Sequence, residues 1–146
     1  MNSNVCLNKY NSCECFSLSC VRDHIDCMIF FLKNNKIKYA LFEAFKYNNI
    51  RIMKYIIENK LCDVNKKMRG DTILHLICRH YMRCDGELIR LLLDHGADPN
   101  IKNNLGLTPY ECHCDYRREK YGLDGNENLK KIFDEYLLEI KDPGYD

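Results

Sequence analysis

The sequence predicts an all-α fold, a solenoid of three to four helix pairs whose outermost units have diverged into caps. Three observations predict it. Gly70 and Gly106 lie 36 residues apart, as do Thr72 and Thr108, and a fixed period of that size marks an architecture of stacked identical units. Helix start and stop signals recur inside that period. The last apolar stripe, Leu129, Ile132, Phe133, Tyr136, Leu137 and Ile140, has the three-and-four spacing of an amphipathic helix.

The start signals are Thr72 and Thr108, whose hydroxyls suit the unpaired amides of a first helical turn. Pro109 follows at the first helical position, where its missing N–H costs nothing. The stop signal is Gly96 after Leu91–His95, placed for a left-handed C-terminal cap. Asp98-Pro99-Asn100 and Asn103-Asn104 then supply turn formers. Each unit reads as two short antiparallel helices and a turn, and one unit cannot bury both helix faces, so neighbours must stack.

In chain order, residues 1–38 read as an N-terminal cap. Cys13 to Cys20 shows no period, whereas Ile25, Met28, Ile29 and Leu32 predict a helix within Val21–Asn34. Residues 39–65 read as a divergent repeat. Tyr39–Phe45 gives its first helix, Asn48-Asn49 its turn, Ile50–Ile57 its second helix, and Asp63-Val64-Asn65 echoes Asp98-Pro99-Asn100. Too few residues separate Leu32 from Leu41 for a projecting finger there, while the span from Ile57 to Leu74 leaves room for one. Residues 66–100 form the most complete repeat, with Tyr81–Asp85 lengthening its inter-helix turn. Residues 101–141 read as a C-terminal capping repeat in which Glu111 stands where the preceding unit has His75. A polar link with Gly122 and Gly125 as breakers is expected to follow Cys114, before the final helix. Residues 142–146 are a tail.

The stretch Arg69-Gly70-Asp71-Thr72-Ile73-Leu74-His75-Leu76, with Leu91-Leu92-Leu93-Asp94-His95-Gly96-Ala97-Asp98-Pro99-Asn100 and Leu105-Gly106-Leu107-Thr108-Pro109-Tyr110, closely resembles the ankyrin repeat. The resemblance is specific over residues 39–110. It implies a binding surface made of finger tips and the exposed face of the first helices. Carried onto this sequence, those positions are Lys46 and Tyr47, with Glu43, in the first repeat. In the second they are Met68, Arg69, Asp71, Arg79 and His80, with Leu76. In the last they are Asn104, Leu105, Leu107, Asp115 and Tyr116, with Cys112.

Composition bears on partners. The 46% hydrophobic and 29% charged content fits a folded globular chain rather than a disordered one. The longest apolar run, Cys27–Leu32, is far too short to span a bilayer, and no membrane partner is expected. The first residues lack the order of a secretory signal, so the ten cysteines are expected as reduced thiols rather than disulfides. Residues 33–69 carry a local charge of +7 and residues 111–146 a local charge of −4, a polarity that can steer a partner. Nucleic-acid binding calls for a tighter basic stripe with aromatic platforms, so none is expected.

Candidate chemistry is sparse. Cys112-His113-Cys114, with Cys13, Cys15 and Cys20, could be read as metal ligands, yet on a helix Cys112 and Cys114 point roughly 200° apart, which defeats one tetrahedral site. Cys114 is expected as a small buried residue. No nucleophile motif, phosphate loop or paired carboxylate is present, and no enzyme activity, cofactor or metal is expected.

The Leu-Leu-Leu-Asp-His-Gly-Ala-Asp-Pro-Asn run and the eroded outer units further resemble poxvirus ankyrin proteins. That resemblance implies a viral adaptor or decoy binding a host signalling or restriction protein, in host-range or immune evasion, as a monomer in the host cytoplasm or nucleus. Two other readings stay open: an inhibitor of NF-kappaB-type transcription factors, and a decaying remnant without function. Residues 127–146 hold one amphipathic helix rather than a three-helix F-box-like segment, so an ankyrin-only or truncated member is expected.

Overall fold

The computed structural model describes residues 26, 29, 30, 39–81 and 86–141, arranged in two compact units, Met1–Asp63 and Val64–Asp146. Among the described residues there are six helices and no strand: α1 (Ala40–Lys46), α2 (Ile50–Glu58), α3 (Ile73–Arg79), α4 (Gly86–Asp94), α5 (Pro109–Tyr121) and α6 (Glu127–Lys141). They make three consecutive helix pairs. The cap expected over residues 1–20 and most of the inserted turn after Tyr81 lie outside the described residues. Of the Val21–Asn34 helix, residues 26, 29 and 30 are described, and all three are helical.

In the first unit, α1 and α2 pack as an antiparallel pair. Asn48 takes a left-handed conformation (φ 53) and Asn49 caps α2, its Oδ1 accepting from Ile52 N–H at 3.0 Å. Ile52, Met53, Ile56 and Ile57 lie on the buried face of α2, each contributing about 1.5–3 kcal/mol by leaving water. The chain leaves α2 through a Schellman turn: Lys60 N–H donates to Ile57 O and Leu61 N–H to Ile56 O, both at 3.0 Å. Lys60 holds the left-handed position of that turn, at φ 51.

The second unit builds two layers. First helices pack on first helices, α3 against α5, and second helices on second helices, α4 against α6. Ile73, Leu74, Ile77 and Cys78 of α3 and Leu88, Ile89, Leu92 and Leu93 of α4 form the core between them. The cap signals act as the sequence predicts. Thr72 and Thr108 each close a capping box with the residue three places on, His75 and Glu111. Glu111 thus does for α5 what His75 does for α3. After α4, Gly96 (φ 88) and Ala97 donate to Leu93 O and Leu92 O in the same Schellman geometry that Lys60 adopts 36 residues earlier. His95 Nδ1–H donates to Leu91 O at 2.9 Å.

Two expectations are corrected. The polar link after Cys114 is helical: α5 continues through Tyr121 and stops at Gly122, which is left-handed at φ 62. Asp115–Tyr121 contains no glycine or proline, and the polar residues that looked like a linker simply cover the outside of a helix. Gly125 lies in the short non-helical link before α6, where a Cβ would lie 2.7 Å from Cys114 Sγ and from Tyr110 Oη. Cys114 itself is half-buried, and the fully buried residues of this turn are Cys112 and His113. The final helix buries Leu129, Ile132 and Phe133, while Tyr136 and Leu137 are half-buried and Ile140 is exposed.

Candidate binding surface

The projecting finger of the second unit begins at Asn65. Its side-chain amide donates to Gly96 O and its Oδ1 accepts from Asp98 N–H, both at 2.8 Å, tying it to the turn one repeat later. Met68 and Asp71 then exchange backbone hydrogen bonds at 2.8 and 3.2 Å around the two-residue loop Arg69-Gly70. Both loop residues have positive φ, 55 and 96, the type I′ requirement imposed by the twist of a tight hairpin. Arg69 therefore occupies a conformation costing an ordinary L-residue about 1–2 kcal/mol. A Cβ at Gly70 would collide with the Asn104 side chain of the next finger, so the two tips sit directly against one another.

The second finger is organised by Asn103, 8% exposed. Its Oδ1 accepts from Leu105 N–H at 2.9 Å and Leu107 N–H at 3.1 Å. Its amide donates to Asp71 Oδ1 at 2.9 Å and lies 3.1 Å from Cys112 Sγ. Asp71 uses its other oxygen to accept from Arg79 at 3.1 Å. His75 completes the junction. Thr72 N–H donates to its Nδ1 at 3.2 Å, so the ring proton sits on Nε2 and is donated to Leu107 O at 3.1 Å. Burial holds His75 below its ordinary value, in keeping with this neutral tautomer.

Asp71, His75 and Cys112 bring one ligand-type atom each within 4.8 Å of one another, a spacing a metal ion can use. Each atom already has hydrogen-bonding partners, and burial pushes the Cys112 thiol up, away from the thiolate a metal needs. The cluster is accounted for as a clasp between repeats.

The expected surface residues fall into five groups. Arg69, Asn104 and Leu105 stand exposed at the finger tips, Leu105 with 75% of its surface open. Asp71, Arg79 and Leu107 are half-buried in the clasp, as is Met68 at the finger base. Cys112, 3% exposed, is buried with its Sγ against Asn103 and Arg79 in the clasp, and Leu76 and Asp115 are half-buried. Lys46 and Tyr47 belong to the first unit, exposed, with the Lys46 ammonium 3.9 Å from Glu43 and 5.2 Å from the Tyr47 ring.

His80 and Tyr116 lie across a cleft of about 510 Å³ lined by Arg79, His113, Arg117, Lys120, Tyr121 and Leu123 as well. Sequence reasoning missed most of it. Its one signal was the period: His113 falls 36 residues after Ile77, a polar residue in a slot that its predecessor fills with a fully buried aliphatic one.

Stacked helix pairs joined by exposed fingers, with no catalytic constellation among the described residues, define a helical-repeat binding scaffold. The family model for ankyrin repeats in three copies matches residues 16–103, and the chain belongs to the ankyrin-repeat family, a non-enzymatic protein–protein interaction fold. It is also similar to the Nuclear factor NF-kappa-B p110 subunit of Drosophila melanogaster, 33% identical over 81 residues, 53% of this chain and 7% of that protein. The chain thus spans a small fraction of the length of that relative. No helix among the described residues is long and apolar enough to cross a membrane.

Proposed function

We propose that the chain is a viral adaptor or decoy that occupies a host signalling or restriction protein through the finger tips and first helices of its second unit. The observation that carries the surface assignment is Arg69: a bulky residue held at φ 55, exposed and, among the described residues, paired with no carboxylate. Glycine or asparagine would serve that turn at less cost, and strain of this kind concentrates where a side chain is needed for contact. Beside it stands Leu105, an exposed apolar anchor type at the adjoining tip. The host-range reading is supported by the sequence resemblance of the repeat runs to poxvirus ankyrin proteins.

Affinity capture from host-cell extract, comparing wild type with Arg69→Glu/Leu105→Asp, tests it. The wild type retains a specific host protein that the double variant, equally stable to heat, loses. Equal capture by both would remove the finger tips from the site. A decaying, functionless product would retain nothing.

The similarity to the NF-kappa-B subunit favours a second reading, an inhibitor of transcription factors of that type. Repression of an NF-kappaB reporter in stimulated cells supports that reading, and unaltered reporter output removes it.

A further inference from the structure

The cleft lined by the end of α3 and by α5 contains two buried polar atoms with no partner among the described residues. His113 is 1% exposed. Its Nδ1–H donates to Cys78 O at 2.8 Å, so its Nε2 carries a lone pair, and that atom is buried without a partner among the described residues. One helical turn later Arg117 buries its Nε–H, also without a partner among the described residues. Residues four apart on a helix share a face, and both line the cleft. An orphan donor and an orphan acceptor side by side are costly when buried and empty-handed. Together they define the group that would satisfy both, one that accepts from a guanidinium and donates to an imidazole nitrogen.

The rest of the lining narrows the class. Arg79, Lys120 and His80 are the other basic groups, and among the described residues no carboxylate lines the cleft. Lys120 lies 2.7 Å from Tyr116 Oη, with its ammonium 5.2 and 5.4 Å from the Tyr116 and Tyr121 ring centroids. Tyr116, Tyr121 and Leu123 give the cleft an aromatic and apolar wall, and its volume suits one side chain-sized ligand. The floor thus asks for a protonated oxyanion and the walls for a ring.

We propose that this cleft binds an aromatic phosphomonoester, the chemistry of a phosphotyrosine side chain on the protein partner. The proposal rests on the reading of the chain as a protein-binding module. A phosphomonoester carrying one proton donates P–OH to His113 Nε2 and accepts from Arg117 Nε–H through P–O⁻. If the proton sits on the ring instead, an imidazolium donates to the dianion, and the proton count is the same. Because Nδ1–H is committed to Cys78 O, His113 can become a donor at Nε2 only by taking up a proton. The titratable and charged groups around it are Arg117, Lys120, Tyr116 and Tyr121 from α5 and Arg79, His80 and Tyr81 at the end of α3 and just beyond it. Binding therefore takes up one proton above the second ionisation of the ester, near pH 6.

Titration of the full chain with phenyl phosphate, followed by calorimetry and by the His113 ring resonances, tests the chemistry without the partner. Phenyl phosphate binds and shifts those resonances, and its Kd rises about tenfold per pH unit between pH 7 and 8, as one-proton linkage requires. His113→Asn, whose amide can still donate to Cys78 O, abolishes the pH dependence. Arg117→Gln, at a half-buried position of α5, weakens binding at least tenfold at every pH. No saturable shift up to about 10 mM phenyl phosphate at pH 6, the affinity range of a weak fragment, would overturn the proposal. So would a pH-independent Kd, or phenylacetate binding as tightly as phenyl phosphate, which would assign the cleft to a carboxylate. Failure of phenyl phosphate to bind leaves finger-tip capture of a partner untouched, whereas loss of that capture leaves the phenyl phosphate titration intact.

Discussion

Asn103 donates its side-chain amide to Asp71 across 2.9 Å while its carbonyl oxygen collects two backbone N–H groups of its own finger. One buried side chain thereby shapes one finger and fastens it to the finger before. Truncation to alanine strands Asp71 Oδ1 and two loop amides together. Asn103→Ala is expected to cost about 2 kcal/mol and to raise amide exchange at Leu105 and Leu107 before the rest of the unit. Urea unfolding with hydrogen exchange checks this, and a stability change within error would show that solvent replaces the clasp.

Lys60 and Gly96 occupy the same left-handed position of the same turn, one period apart. Lysine is strained there and glycine is not. Lys60→Gly should stabilise the first repeat by about 1 kcal/mol, whereas Gly96→Lys should destabilise the second unit by a similar amount. Thermal unfolding of the two variants reads both signs.

His75 and His113 are buried, neutral and held below their ordinary value of 6.5, in each case chiefly by burial. In the unfolded chain both regain that value, so the unfolded state binds more protons as the medium acidifies. Their contribution to stability is complete above about pH 6.5 and is lost as pH falls through the folded-state values. Urea midpoints measured from pH 7.5 to 5 should decline below pH 6.5. Replacing His75 by Gln should remove part of that slope, even though it lowers stability throughout.

The helix pairs were legible because they obey local rules. Thr72, Thr108, Pro109, Gly96 and the Leu129–Ile140 stripe each act through the few residues around them; the four cap residues stand as read, and the stripe is helical but buried fully only at Leu129, Ile132 and Phe133. The extent of α5 was not, because a solvated helix and a polar linker share a composition, and only the first breaker, Gly122, marks the difference. The surface was legible in part. Exposure at Arg69 and Leu105 follows from their place in a finger tip. The engagement of Asp71 with Arg79 and Asn103, eight and 32 residues away, and the cleft that α5 forms with the end of α3 around His113 and Arg117 are encoded by no local pattern. Nothing in the sequence separates Asn103 from its neighbour Asn104, because adjacent asparagines in a turn look alike until one of them is buried.

Arg69 bears the central claim, that the finger tip holds a strained residue for the sake of contact. Arg69→Asn keeps the turn and relieves the left-handed arginine, so it should raise the unfolding free energy by about 0.5–1 kcal/mol. The decisive measurement is the Kd of this variant for the host protein captured by the wild type. Affinity at least fivefold weaker from a more stable protein is expected, and undiminished affinity would show that the arginine is not held there for contact.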